Sequence, residues 1–492
     1  MTFNPAQQRA IHHTTGPMLV LAGPGSGKTT VIVNRIRYLT EEKRVPPERI
    51  LVITFTRAAA REMQERFQTQ TRIQGSLLPV FGTFHSVFFS ILRDRCGFSA
   101  KSIIKFQEQQ QILKKILGRD DIPLIYTDDF AELLLARISR TKNAGGPCAQ
   151  EASCRKTEAG KSRDDRSREQ GMPMPDQSLP RDLFGMIYTE YQKMMSAMQR
   201  LDFDDMLLQC LLLFRQEPGI LQEERRRYEY VLVDEFQDIN SIQYDILRML
   251  CEEHRNLFIV GDDDQSIYGF RGSVPGLMLG FPGDYPDCRT VLLNVNYRSG
   301  QKIVEGAQRM IRHNRERFRK ELCAGREFTA EVITADYEDE AAEMKALAEL
   351  IRQYRKQGFD WSDMAVLYRT GAQIPPLAKA LSAAGIPVRE KDRAEGLVLS
   401  TFHGSKGLEF TIVFIIDANE GITPYRKAMQ DPEALCEERR MFYVAVTRAK
   451  QFLHILHTKS RYNKIQKKSR FVLEMTEERR TLYGRVKGIG SR

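Results

Sequence analysis

The run MLVLAGPGSGKTTVIVNRIRYL, residues 18–39, constrains this chain more than any other stretch. Its first five residues form the continuous apolar run of a buried strand. Glycines at 23, 25 and 27 then open a turn, and VIVNRIRYL restores helical spacing. A strand that passes through a glycine-rich turn into a helix is the arrangement that wraps backbone N–H groups around phosphate. In that frame Gly23, Gly25 and Gly27 cradle phosphates, Lys28 reaches the outer ones, and the Thr29 hydroxyl is placed to ligate Mg²⁺. Ala22, Pro24, Ser26 and Thr30 complete the loop, with Ala22 standing where the generic pattern has its first glycine. A chance turn of glycines is the alternative reading, and the flanking strand and helix disfavour it.

Further β-rich runs follow at ILVITF (50–55), YVLVDE (230–235) and LFIVGD (257–262), separated by helical patterns. A second series appears at TVLLNVN (290–296), MAVLYRT (364–370), LVLSTFH (397–403), TIVFIID (411–417) and FLHILHT (452–458). Short apolar strands alternating with helices predict parallel sheets covered on both faces, and 492 residues exceed one core, so two α/β units in tandem are expected. The stretch from about 96 to 200 lacks comparable β pattern and reads as a helical insertion in the first unit. Within it, residues 143–180 are polar, charged and poor in large apolar side chains, the composition of a mobile loop.

The run YVLVDEFQD ends a strand in two carboxylates, at the sheet edge where open α/β folds bind ligands. Asp234 is the candidate Mg²⁺ holder and Glu235 the candidate general base for an attacking water. Taken alone, adjacent acids after a strand often cap the next helix. Gln265, in VGDDDQSIYGFRG, follows a strand as a γ-phosphate sensor would. Arg298 in NYRS and Arg448 in YVAVTRAK fall in the second unit, where they could reach phosphates only across a domain interface. Taken singly, an arginine is more often a surface residue or a structural pair.

Composition narrows the partner. The net charge of +10 and pI near 9.1 favour an anionic partner, nucleic acid ahead of membrane. The eight cysteines form no CxxC pair, so a zinc or iron–sulfur site is not expected, and reduced cytosolic thiols are the simpler reading. The N-terminus lacks a signal pattern and no apolar run approaches the ~20 residues of a membrane span, which predicts a cytoplasmic protein.

The motifs together resemble the superfamily 1 helicases of the UvrD, PcrA and Rep type across nearly the whole chain. FNPAQ (3–7) is similar to the Q motif, AGPGSGKTT to motif I, TFTRAAAREM (54–63) to motif Ia and GTFHS (82–86) to motif Ib. DEFQD, GDDDQSIYGFRG, NYRS, TFHGSKGLEF and EERRMFYVAVTRAK (437–450) resemble motifs II to VI in order. The resemblance implies two RecA-like P-loop NTPase domains that bind ATP in their cleft and move 3′ to 5′ on single-stranded DNA. It implies domain boundaries at 1–95 plus 183–289 (1A), 96–182 (1B) and 290–492 (2A). Gln7 is then expected to read adenine, Tyr297 to stack on it, Arg298 and Arg448 to contact the γ-phosphate, and Glu409 to lie near the ribose. Phe55, Thr56, Thr83, His85, Tyr268, Phe270, Arg271 and His403 are expected along the DNA.

Aromatic rings and phosphate-binding polar groups suit such a track independently, while core packing is the competing reading and is rated equal to it for Phe84. LDFDDML (201–207) also resembles a family segment and reads as structural, with Asp202 or Asp204 capping the following helix. The basic tail KSRYNKIQKKSRF (459–471) reads as a solvated face, with a DNA-backbone contact second.

The leading expectation is an ATP-driven DNA translocase or helicase, working on single-stranded or tailed duplex DNA in repair or replication. One alternative is a motor that strips proteins from DNA or serves a nuclease or repair partner in repair or phage defence. Another, of a different class, is an ATP-gated DNA-binding module. The octet REKDRAEG (389–396) stands where relatives insert the accessory domain called 2B, and eight residues cannot form one.

Overall fold

The computed structural model describes residues 3–71, 78–119, 122, 124, 126–143, 179–325, 329–389, 395–461 and 464–476. Most of the polar stretch 143–180 and the centre of the octet, 390–394, therefore lie outside the described residues. The chain forms two compact units. One comprises Met1–Leu21, Lys28–Gly261 and Tyr268–Val291, the other Ala22–Gly27, Asp262–Ile267 and Leu292–Arg492.

The first unit is built on six strands, β1 (Met18–Ala22), β2 (Ile50–Thr54), β3 (Val80–Thr83), β4 (Tyr230–Val233), β5 (Leu257–Gly261) and β6 (Arg289–Leu293). They lie in the order β3-β2-β4-β5-β1-β6, and every pairing from β3 through β1 is parallel. All residues of β1, β2, β4 and β5 are buried, which is why these strands read as unbroken apolar runs. At roughly 1.5–3 kcal/mol for each buried aliphatic side chain, these strands are the main apolar anchor of the unit.

A separate helical core in the same unit packs Ile112, Leu113 and Ile116 of the helix Phe106–Leu117 against Leu134 and Ile138 of Asp128–Asn143 and Ile187, Tyr191 and Met195 of Arg181–Ala197. The fully buried Lys142 is held at 2.6 Å by Asp202 and 2.7 Å by Asp205 at the start of the helix Phe203–Gln216. Asp202 caps that helix, accepting from the Asp205 N–H, whereas Asp204 accepts from Asn143.

The second unit carries a wholly parallel sheet of β7 (Glu331–Tyr337), β8 (Met364–Tyr368), β9 (Val398–Thr401), β10 (Phe410–Ile415) and β11 (Ala449–Thr458). Its order is β9-β8-β10-β11-β7. Met364, Val366, Ile412 and Phe414 join Leu347, Ile351 and Leu381 from covering helices in its core. The mixed α/β class with parallel sheets agrees with the sequence, with one correction. The run 290–296 does not open the second sheet: Arg289–Leu293 forms the edge of the first, its Arg289 N–H bonded to the Pro17 carbonyl, and Val295–Asn296 pairs with Cys323–Ala324 instead. As an edge strand, β6 buries Val291 and Leu293 but exposes Arg289 and Thr290, so its sequence does not say which sheet it joins.

The two ends of the octet meet. Val388 and Leu397 form a bridge, the Arg389 N–H donates to the Leu397 carbonyl and the Leu397 N–H to that of Pro387. Gly396 lets the chain close there: its φ is 141°, and a Cβ would fall 2.6 Å from the Arg389 nitrogen. The basic tail is more engaged than a solvated face. Lys459, Arg461, Lys468 and Arg470 pair with Glu338, Asp417, Asp336 and Glu420 respectively.

Candidate nucleotide and nucleic-acid site

Each parallel strand of the first sheet delivers predicted residues at its C-terminal end. After β1 come Gly23 to Thr29, after β2 Phe55 and Thr56, at the end of β3 Thr83 and His85, after β4 Asp234 and Glu235, and after β5 the segment Asp262–Gln265. This is the edge at which open parallel sheets bind ligands, because strand ends leave backbone groups and helix N-termini pointing outward.

Gly25 and Gly27 have φ of 66° and 86°, values that a side chain would strain. A Cβ on Gly25 would lie 2.5 Å from the Arg298 Cβ and 2.7 Å from Asn296 Oδ1, so only glycine fits. The helix Lys28–Arg37 starts directly after this loop. Lys28 Nζ is buried without a hydrogen bond and lies 3.3 Å from Glu235 Oε1. Glu235 holds a left-handed backbone (φ 53°), which costs a non-glycine residue roughly 1–3 kcal/mol and recurs at functional sites. Gln237 Nε2 donates to its second oxygen at 2.5 Å. Asp234 is 7% exposed. A buried lysine with no hydrogen bond, beside glycine turns and hard oxygen donors from Thr29 and Asp234, fits a triphosphate with Mg²⁺.

Gln7 accepts from the Asn4 N–H as half of a capping box, so its amide already has one structural duty. In the second unit, Arg448 is 2% exposed and its Nη2 lies 3.3 Å from Gln265 Oε1. Arg298 Nε pairs with Glu409 at 2.8 Å, and Lys450 Nζ takes the other Glu409 oxygen at 2.9 Å. Partial burial would raise the Glu409 carboxyl, but Lys450 and Arg298 outweigh it and hold it below the usual glutamate range. In this structure Glu409 thus orients Arg298. Tyr297 donates its N–H to the Gly25 carbonyl. Lys406, which the sequence reading passed over, donates its Nζ to the Gln265 carbonyl at 2.8 Å. Its place inside HGSKGLEF was the available signal.

Phe55 and Tyr268 stack at 5.0 Å between centroids, Phe270 follows at 6.1 Å from Tyr268, and the Arg271 guanidinium lies over both Tyr268 and Phe270. Phe270 is 60% exposed, an open stacking surface. Thr56 and Thr83 are the N-caps of the helices Arg57–Gln70 and Phe84–Cys96. Burial lowers the His85 imidazole below the ordinary histidine range, and the ring sits edge-on to Phe203, a residue 58% exposed. Phe203 was missed because LDFDDML reads first as a capping segment. Phe84 is 4% exposed and packs on Phe88, so its duty is in the core. His403 follows β9 in the second unit, with its backbone carbonyl accepting from Lys406.

Among the described residues no helix is long and apolar enough to cross a membrane. The model of the UvrD/REP helicase N-terminal domain matches residues 3–286, and that of the UvrD-like helicase C-terminal domain matches 291–395 and 389–460. The YjcD protein of Bacillus subtilis (strain 168) is 35% identical over 390 residues, 78% of this chain and 48% of that protein. The ATP-dependent DNA helicase PcrA of Staphylococcus aureus (strain Mu50) is 34% identical over 392 residues, again 78% of this chain and 50% of the relative. PcrA of Staphylococcus epidermidis is 33% identical over 388 residues, with the same coverage. The chain thus spans about half the length of these relatives. With phosphate loop, paired carboxylates and glutamine on successive strand ends, and a family match over more than half its length, this chain belongs to the UvrD/REP helicase family.

Proposed function

We propose that this chain is an ATP-dependent DNA motor that hydrolyses ATP to move 3′ to 5′ along single-stranded DNA. The observation that carries this reading is the common C-terminal edge of β1 to β5, which gathers the phosphate loop, the acids and the aromatic stack. Lys28 exchanges its Glu235 contact for the outer phosphates and the loop N–H groups bind the inner ones. Thr29 and Asp234 would hold Mg²⁺, which would supply charge neutralisation on the phosphates. Glu235, released from Lys28, accepts the proton of the attacking water, while Gln265, Arg298 and Arg448 meet the charge that develops on the outer phosphate. Phe55, Tyr268 and Phe270 stack on bases without reading sequence.

Steady-state ATPase measured with and without single-stranded DNA tests the reading. A rise of at least tenfold is expected, and equal rates would overturn it. Glu235→Gln is expected to keep ATP affinity within about threefold and to lower kcat about 10²–10⁴-fold. Turnover near the parent's would show that another group is the base.

A second reading, a motor that strips proteins from DNA or serves a partner enzyme and unwinds poorly alone, has one observation in its favour. Only residues 390–394 lie between Arg389 and Glu395, fewer than a folded domain needs, and the flanking Val388 and Leu397 pair with each other.

A further inference from the structure

The residues after β5 carry a feature that the reading above does not use. Asp262, Asp263 and Asp264 are buried side by side, at 0%, 2% and 1% exposure. By composition the three carboxylates would suit a divalent cation. An ammonium takes that place instead: Lys320 Nζ lies 2.5 Å from Asp262 Oδ1, 2.5 Å from Asp263 Oδ1 and 2.8 Å from Asp264 Oδ2. Arg317 grips Asp264 through Nε at 2.7 Å and Nη2 at 2.6 Å, and the Phe318 N–H donates to Asp263.

Asp262 has a second duty. Its Oδ2 accepts from Gln265 Nε2 at 2.7 Å, while Gln265 Oε1 faces Arg448 Nη2 at 3.3 Å. A carboxylate only accepts and a guanidinium only donates. The amide between them can therefore stand only one way, NH₂ toward Asp262 and oxygen toward Arg448. Lys320 on Oδ1 holds the Asp262 carboxylate in the pose in which Oδ2 faces the Gln265 amide. Without Lys320, three buried carboxylates would face Arg317 alone and Asp262 would lose its anchor; with it, two cations face three acids.

We infer that Lys320 is a positioning residue for ATP hydrolysis, acting through Asp262 to fix which edge of the Gln265 amide faces Arg448 and the outer phosphate. Its Nζ is taken up by the three aspartates. Arg317, bound to Asp264 and not to Asp262, belongs to the same cluster but has no such path to Gln265. The inference rests on the ATPase reading of the same site.

The test is a double-mutant cycle on DNA-stimulated ATPase with the full chain. Lys320→Met is expected to lower kcat at least tenfold while KM for ATP changes less than threefold. In a Gln265→Ala background the same substitution is expected to cost less than twofold more, because its route is already gone. Arg317→Met is expected to lower the thermal midpoint yet leave kcat within twofold. Equal kcat losses for Lys320→Met and Arg317→Met, or full additivity with Gln265→Ala, would assign Lys320 a purely structural role and overturn the inference. Should Lys320→Met not fold, Lys320→Gln, which keeps one donor toward the carboxylates, is run through the same cycle and judged by the same additivity. Absence of ATPase in the parent chain would overturn the functional reading itself, an outcome separate from either result.

Discussion

Glu343 shows how far a single residue can depart from its ordinary chemistry in this fold. It is fully buried, its Oε1 accepts the Asp417 N–H at 3.0 Å, and its Oε2 has no hydrogen-bond partner. Burial, and then the Asp417 charge beside it, push its carboxyl up to about 8. The folded chain therefore holds a proton there that the unfolded chain releases near 4.5. Between those values the native state binds more protons than the unfolded state, so stability falls as pH rises and the penalty is complete above about 8. Glu343→Gln keeps the acceptor for Asp417 and removes the ionisation. It is expected to flatten the fall in urea midpoint between pH 5 and 9 and to be more stable than the parent at pH 9 by about 1–3 kcal/mol. Identical pH slopes in parent and variant would show that Glu343 is not the group responsible. No sequence pattern announces this residue: it stands in an ordinary helix, Glu340–Lys356, and only the approach of Asp417 makes it unusual.

At the scale of elements, the outcome depends on whether a segment's own environment is uniform. The central strands β1, β2, β4, β5, β8 and β10 were legible because burial on both faces demands continuous apolar runs. The edge strands β3 and β7 were not, since Val80–Thr83 and Glu331–Tyr337 are half-exposed and their alternation is weak. The glycine turn after β1 and the acid pair after β4 could be placed from sequence for a different reason, because glycines at fixed spacing and carboxylates at a strand end are local patterns. Contacts that join distant segments left no such mark, among them Glu409 with Arg298 and Lys320 with the aspartates.

Lys142 is the same kind of contact between helices. It closes the helix Asp128–Asn143 onto Asp202 and Asp205, at 0% exposure. Burial, and then the Asp202 charge, push the Asp205 carboxyl up to about 6 even with the lysine present. Lys142→Met strands two buried carboxylates and is expected to cost about 3–5 kcal/mol in urea unfolding. Adding Asp205→Asn is expected to return at least half of that loss, and a strictly additive double variant would mean that the ion pair is not what Lys142 contributes.

For the whole molecule, the decisive fact is that Val388 and Leu397 pair across the octet. Val388 and Leu397 form a bridge directly ahead of β9, with five residues of sequence between Arg389 and Glu395. The residues proposed for ATP and DNA all lie outside that connection, and movement on single strands should not need anything inserted there. Separating a duplex is a different demand, since a motor that merely walks must also hold the junction open. The two activities are therefore expected to part company. On oligonucleotides carrying biotin at one end, the chain should displace streptavidin from the 5′ end at least tenfold faster than from the 3′ end, which fixes the direction of travel as 3′ to 5′. On duplexes with a 3′ tail it should turn over ATP at the single-strand rate while releasing strands at least tenfold more slowly than it displaces streptavidin. Equal displacement from both ends would remove the polarity. Rapid strand release by the chain alone would show that the short connection costs the motor nothing, and that junction opening is carried by the two α/β units and the helical core themselves.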